Sequence, residues 1–83
     1  LDLRQLPRPL REALCGLCCQ LHYGEVASML AAARCVEQAS DSAVRMFAAT
    51  QVVDEARHVE WFTRLIHALD VGPHVAIHDS VSE

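Results

Sequence analysis

Gln51-Val52-Val53-Asp54-Glu55-Ala56-Arg57-His58-Val59 is the stretch on which the reading of this chain turns. Glu55 and His58 are three positions apart, and side chains at that spacing on a helix point the same way, so both can reach one point. A carboxylate and an imidazole converging from one helical face make a half-set of ligands for a transition metal. A second carboxylate, Glu25, stands thirty residues upstream.

Outward from this stretch the pattern is helical in both directions. Pro9 suits a first helical turn, where its missing N–H costs nothing, and from there to about Ala39 the only breakers are Gly16 and Gly24. Taking about 100° per residue, Leu14, Cys18, Leu21, Met29, Ala32 and Val36 fall within about 40° of Glu25, which places Glu25 in the middle of an apolar stripe. Ser40-Asp41-Ser42 offers side-chain oxygens for an N-cap and marks the turn into a second helix. That helix is expected from about residue 42 to 69, ending before the stop signal Gly72-Pro73. Measured from Glu55, Val44, Ala48, Gln51, Val59, Phe62, Ile66 and Leu69 lie within about 40° and His58 within about 60°. Met29, Phe47 and Phe62 read as core, and Arg57, Glu60 and Arg64 as an outer face of solvated ion pairs. Residues 1–8 read as an extended lead-in and the tail, 70–83, has no clear pattern.

Glu25 is fifteen residues before Ser40 and Glu55 fifteen after it. At about 1.5 Å per residue both stand roughly 22 Å from the bend, so in an antiparallel hairpin they face each other. Burying unpaired ionised carboxylates costs several kcal/mol. Two glutamates and a histidine at one height on facing apolar stripes are therefore expected to hold a cation, and carboxylate with imidazole suits iron, or manganese, better than zinc.

Length and composition set the surroundings. Eighty-three residues make one small domain that buries only about 60% of its unfolded surface, so a metal or a partner chain is expected to help hold it. The chain is 52% hydrophobic with few Gly and Pro, which favours helices over disorder. It has seven Arg, no Lys and a net charge of −4, a balance that gives nucleic acid no basic surface. No apolar run reaches the roughly 20 residues of a membrane span and no secretory h-region is present, so a cytoplasmic location and no membrane partner are expected. Cys15, Cys18, Cys19 and Cys35 fall inside a helical pattern and read as reduced, buried thiols, since Cys15-x-x-Cys18 lacks the second pair of a zinc site. His22, three before Glu25, either approaches the same site or sits at the core edge. His67 points away, and His74-x-x-x-His78 reads as surface. There is no phosphate-binding glycine loop and no serine nucleophile with a base.

Gly24-Glu25 and Asp54-Glu55-Ala56-Arg57-His58 resemble the ferritin-like di-iron carboxylate proteins, and within them the hydroxylase subunits of bacterial multicomponent monooxygenases that oxidise methane, phenol and toluene. The resemblance covers about Leu21 to Phe62. It implies Glu25 as a terminal carboxylate on one iron, Glu55 as a bridge between two irons, and His58 as a ligand through a ring nitrogen. By the same analogy Asp54 hydrogen-bonds a ligand histidine from the other half of the bundle, Arg57 joins a supporting ion-pair network, and Leu21 and Ser28 line the substrate pocket. A complete site of this kind takes a Glu from each of two helices and a Glu-x-x-His from each of two others; this chain has one of each.

The expected architecture is all-α, a long antiparallel two-helix hairpin with helices about 9–39 and 42–69, forming over residues 1–83 half of a ferritin-like four-helix bundle. The missing half is expected either from a longer natural chain, which Leu1 in place of an initiator Met suggests, or from a second copy in a homodimer. The expected function is di-iron oxygenase or oxidase chemistry on O₂ and a small organic substrate, with an electron-donor protein. The alternatives are a ferroxidase or iron-storage homo-oligomer and a non-catalytic helical hairpin.

Overall fold

The structure is a computed structural model that describes residues 2–72; His74, His78 and most of the expected tail lie outside the described residues. Two long helices, α1 (Arg8–Gln38) and α2 (Ser42–Leu69), pack antiparallel against each other, and the described residues contain no strand. The hairpin agrees with the expected boundaries to within a residue.

The residues before α1 are not simply extended. Leu3–Gln5 makes one 3₁₀ turn whose N-cap, Asp2, accepts a hydrogen bond from the Arg4 backbone N–H. Arg8 and Pro9 then open α1, with Pro9 in the first turn. The helix closes on the Ala39 N–H, which donates to the Cys35 carbonyl at 2.9 Å. Of the three polar residues in the turn, Asp41 is the cap of α2. Its carboxylate accepts from the backbone N–H groups of Ala43 at 2.7 Å and Val44 at 3.3 Å, satisfying donors that the first helical turn leaves open. Arg45 reaches back to the Ala39 carbonyl and ties the turn to α2.

α2 ends at Leu69, before the Gly-Pro pair, as expected. Asp70 takes the left-handed conformation, φ 53°, and Gly72 follows at φ 85°. Aspartate tolerates this region because its short polar side chain can bond locally. The Arg11 guanidinium caps the same end, donating to the carbonyls of Leu69 and Asp70 at 3.1 Å and to Leu6 at 3.1 Å. A cation there also complements the negative end of the helix dipole.

The core lies at this end: Cys15, Cys18, Ile66, Leu69 and Val71 are buried, with Leu3, Leu14, Cys19, Phe62 and Leu65 packed around them. Nearer the turn, Ala48 is buried. All four cysteines are free, but only Cys15 and Cys18 behave as buried hydrophobes, whereas Cys19 is half-buried and Cys35 exposed. Burial, with the neighbouring Cys19, pushes the Cys15 thiol up to about 11, so it stays protonated at neutral pH.

The hairpin measures 51 × 28 × 13 Å, so its thin dimension is close to the diameter of one helix, about 10–12 Å. A single layer cannot bury a stripe on both helices, and several positions expected in the core are open. Phe47 is 67% exposed, and Leu21 and Val44 are exposed as well. On the outer face Arg64 pairs with Glu60 at 2.6 Å, while Arg57 makes no ion pair among the described residues.

Replacing the Asp41 cap, Asp41→Ala, is expected to destabilise the hairpin by about 1 kcal/mol, seen as a drop of roughly 4–8 °C in the thermal midpoint by circular dichroism. Ser40→Ala should shift it far less.

Candidate metal centre

Glu25 projects from the middle of α1, and Glu55 and His58 from one face of α2. Because the turn lies midway between the two glutamates, the antiparallel helices bring all three together: one ligand atom from each lies within 4.8 Å of the others. The His58 Nδ1 is 3.3 Å from Glu25 Oε2 and 4.0 Å from Glu55 Oε1. Nδ1 is thus the ring nitrogen turned toward both carboxylates.

The three side chains are not sealed in. Glu25 is 27% exposed, Glu55 18% and His58 56%, and no charged residue among those described is fully buried. The expectation that they sit inside a closed apolar seam is corrected accordingly. They lie along the rim where one side of the hairpin faces outward, so desolvation alone does not demand a cation in this hairpin.

The three side chains nonetheless act on one another's charge. Glu25 is held below the usual Glu range, first by its hydrogen bond with Glu55 and then by His58. Glu55 is pushed above that range, first by the same hydrogen bond and then by its limited solvent access and the Glu25 and Asp54 charges. The two carboxylates titrate as a pair, with Glu55 the more readily protonated. The donor set fits iron or manganese: two carboxylate oxygens and one imidazole nitrogen. Neighbouring ligand atoms bound at about 2.1 Å to one ion lie about 3.0–3.4 Å apart, a spacing that Glu25 and His58 already have at 3.3 Å.

Of the remaining residues singled out in the sequence, Asp54 is one turn before His58 on the same side of α2 and half-buried. Leu21 and Ser28 are exposed one turn either side of Glu25. Arg57 is exposed and directed away from the group. His22 does not join the metal-ligand group. Its Nε2 lies 3.0 Å from the Thr63 hydroxyl on α2. Thr63 was not singled out from sequence, and counting from the turn does not find it, since His22 stands 18 residues before Ser40 and Thr63 stands 23 after it.

No curated protein and no solved structure matches the chain. A family model described as methane/phenol/alkene hydroxylase matches residues 2–80, which take in both helices and the Glu25, Glu55 and His58 group. By that match the chain belongs to the methane/phenol/alkene hydroxylases, a family of di-iron monooxygenases.

Proposed function

We propose that this chain provides half of the ligands of a di-iron centre in a hydroxylase that uses O₂ to oxidise a small organic substrate. One observation carries the reading: in a chain of this family, Glu25, Glu55 and His58 converge with ligand atoms within 4.8 Å. An iron pair, when bound, supplies the redox chemistry with O₂ that no side chain can perform. Glu25 and His58 would hold one metal from opposite helices, and Glu55, the more enclosed carboxylate, would supply a further carboxylate to the pair. The family match favours this over the iron-storage reading of the same three ligands.

The half-site needs a second hairpin, and the open side of this one suits it. At about 100° per residue, Leu10, Leu17 and Leu21 on α1 and Val44 and Phe47 on α2 lie within about 80° of Glu25 or Glu55 on the side that His58 occupies. All five are exposed. Such a face is a docking surface, since domains bury an apolar stripe against a second layer. The partner hairpin comes from elsewhere in a longer chain or from a second copy, and brings the other Glu and Glu-x-x-His. Asp54, on that same side, is placed to accept a hydrogen bond from a partner imidazole and fix its orientation. Leu21 and Ser28 then border the space where a small aromatic or alkene would meet the metals, and docking excludes water from it. Arg57, on the outer side, belongs to the supporting charge network. An electron-donor protein and a cytoplasmic location complete the proposal; no described helix is long and apolar enough to cross a membrane.

In the assembled protein Glu55→Ala or His58→Ala is expected to weaken Fe(II) binding more than about 100-fold, beyond the 10–100-fold typical of outer-sphere partners. Anaerobic titration checks this, and unchanged iron stoichiometry in either variant refutes the assignment.

The raised Glu55 carboxyl gives a pH dependence. Because Glu55 is raised, a cation must displace its proton at pH values below that raised pKa, so affinity should fall as pH is lowered through it and binding should release a proton. Calorimetry in buffers of different ionisation enthalpy measures the release; an affinity flat with pH across the carboxylate range contradicts it.

A further inference from the structure

His22 and Thr63 join the helices on the side of the seam away from the open face. At about 100° per residue His22 lies about 60° from Glu25, opposite to Leu21 and Ser28, and Thr63 about 80° from Glu55, opposite to His58. The Thr63 hydroxyl lies 2.8 Å from the Val59 carbonyl and donates its only proton there. Its oxygen therefore accepts from His22, at 3.0 Å, and the His22 Nε2 carries a hydrogen. The result is a directional chain from the α1 side chain through Thr63 to the backbone of α2 at the residue after His58.

We propose that His22 and Thr63 are positioning residues: their hydrogen bond sets the register of α1 against α2, and with it the meeting of Glu25 with Glu55 and His58 that cation binding requires. The inference rests on the reading of that triad as a metal site.

Three observations support it. The large packed side chains, Ile66 and Leu69 with Cys15 and Cys18, are at the far end of the hairpin from the turn. Between the site and the turn the seam is lined by small groups, with Ala33, Val36, Ala49 and Val52 bordering an apolar cleft of about 270 Å³. The turn and the Arg11 hydrogen bonds hold the two ends of the hairpin; between them, contacts of that kind are non-directional and leave small axial shifts weakly opposed. A slip of one residue displaces Glu25 by about 1.5 Å, whereas a working ligand set tolerates about 0.5 Å. Finally, both His22 and Thr63 are half-buried. Apolar residues would fill the seam without desolvating polar atoms, so the direction of the bond accounts for the polar pair where packing does not.

The test uses the assembled protein, with Co(II) as the probe, titrated while its visible d–d bands are recorded. Thr63→Val, which keeps shape and removes the hydroxyl, and His22→Leu are each expected to weaken Co(II) binding by about three- to tenfold, the effect of one net hydrogen bond, and to change the band pattern. Thr63→Ser should restore both. The His22→Leu/Thr63→Val double variant should bind no more weakly than either single one, because both remove the same bond. Parental affinity and bands in both single variants, or additive losses in the double variant, overturn the proposal.

A metal-free readout separates the two readings. In the parent, interhelical methyl nuclear Overhauser contacts around the cleft bordered by Ala33, Val36, Ala49 and Val52 report the register, and Thr63→Val should weaken or move them while helical content is retained. A parent that binds no Co(II) refutes the metal site. In that case the register claim fails too if those contacts are unchanged in Thr63→Val; should that variant not fold, His22→Leu is read in its place.

Discussion

A three-residue turn controls what this chain can assemble. With α1 closing at Gln38 and α2 opening at Ser42, the two helices are forced antiparallel, and any residue on one meets a residue at nearly equal distance from the turn on the other. Glu25 and Glu55 satisfy that condition, and the Glu25 to His58 approach of 3.3 Å follows from it. The Asp41 carboxylate on the first N–H groups of α2 and the Arg45 contact to Ala39 hold the turn. At the opposite end the Arg11 guanidinium grips the last carbonyls of α2. Glu25, Glu55 and His58 sit between these two polar clasps.

One helix diameter of thickness sets the second constraint. Residues along the facing stripes bury only where both helices contribute large groups, which happens around Cys15, Cys18, Ile66 and Leu69. Elsewhere apolar side chains such as Phe47 and Trp61 remain in contact with water. The Glu25, Glu55 and His58 group lies on the rim of the contact, and its electrostatics are those of two adjacent acids beside an imidazole more than those of a buried charge.

Much of this was legible from residue spacing. The helix boundaries follow from Pro9, the Ser-Asp-Ser turn and a period of 3.6, because those signals act locally and each has a direct physical cause. The pairing of Glu25 with Glu55 and His58 follows from counting residues to the turn. Burial was misjudged at Leu21, Val44 and Phe47 for an identifiable reason: periodicity gives the direction of a side chain around its helix, but not how far round the neighbouring helix reaches. The contact is centred to one side of the glutamates, toward Val59 and Met29, so half of each apolar stripe is left open. The left-handed exit at Asp70 was masked by the stronger Gly72-Pro73 signal just beyond it. The His22–Thr63 bond escaped notice because a lone histidine and a lone threonine carry no period, and only the packed geometry makes them a pair. The family match adds the iron, which the ligand chemistry allows but does not single out from manganese.

The exposed residues on the side of His58 carry an energetic consequence. Leu10, Leu17, Leu21, Val44 and Phe47 stand in water, and covering one such side chain completely is worth about 1.5–3 kcal/mol. A layer laid on that face would stabilise the hairpin as well as shield Glu25, Glu55 and His58 from solvent, so that the fold and its covering are thermodynamically linked.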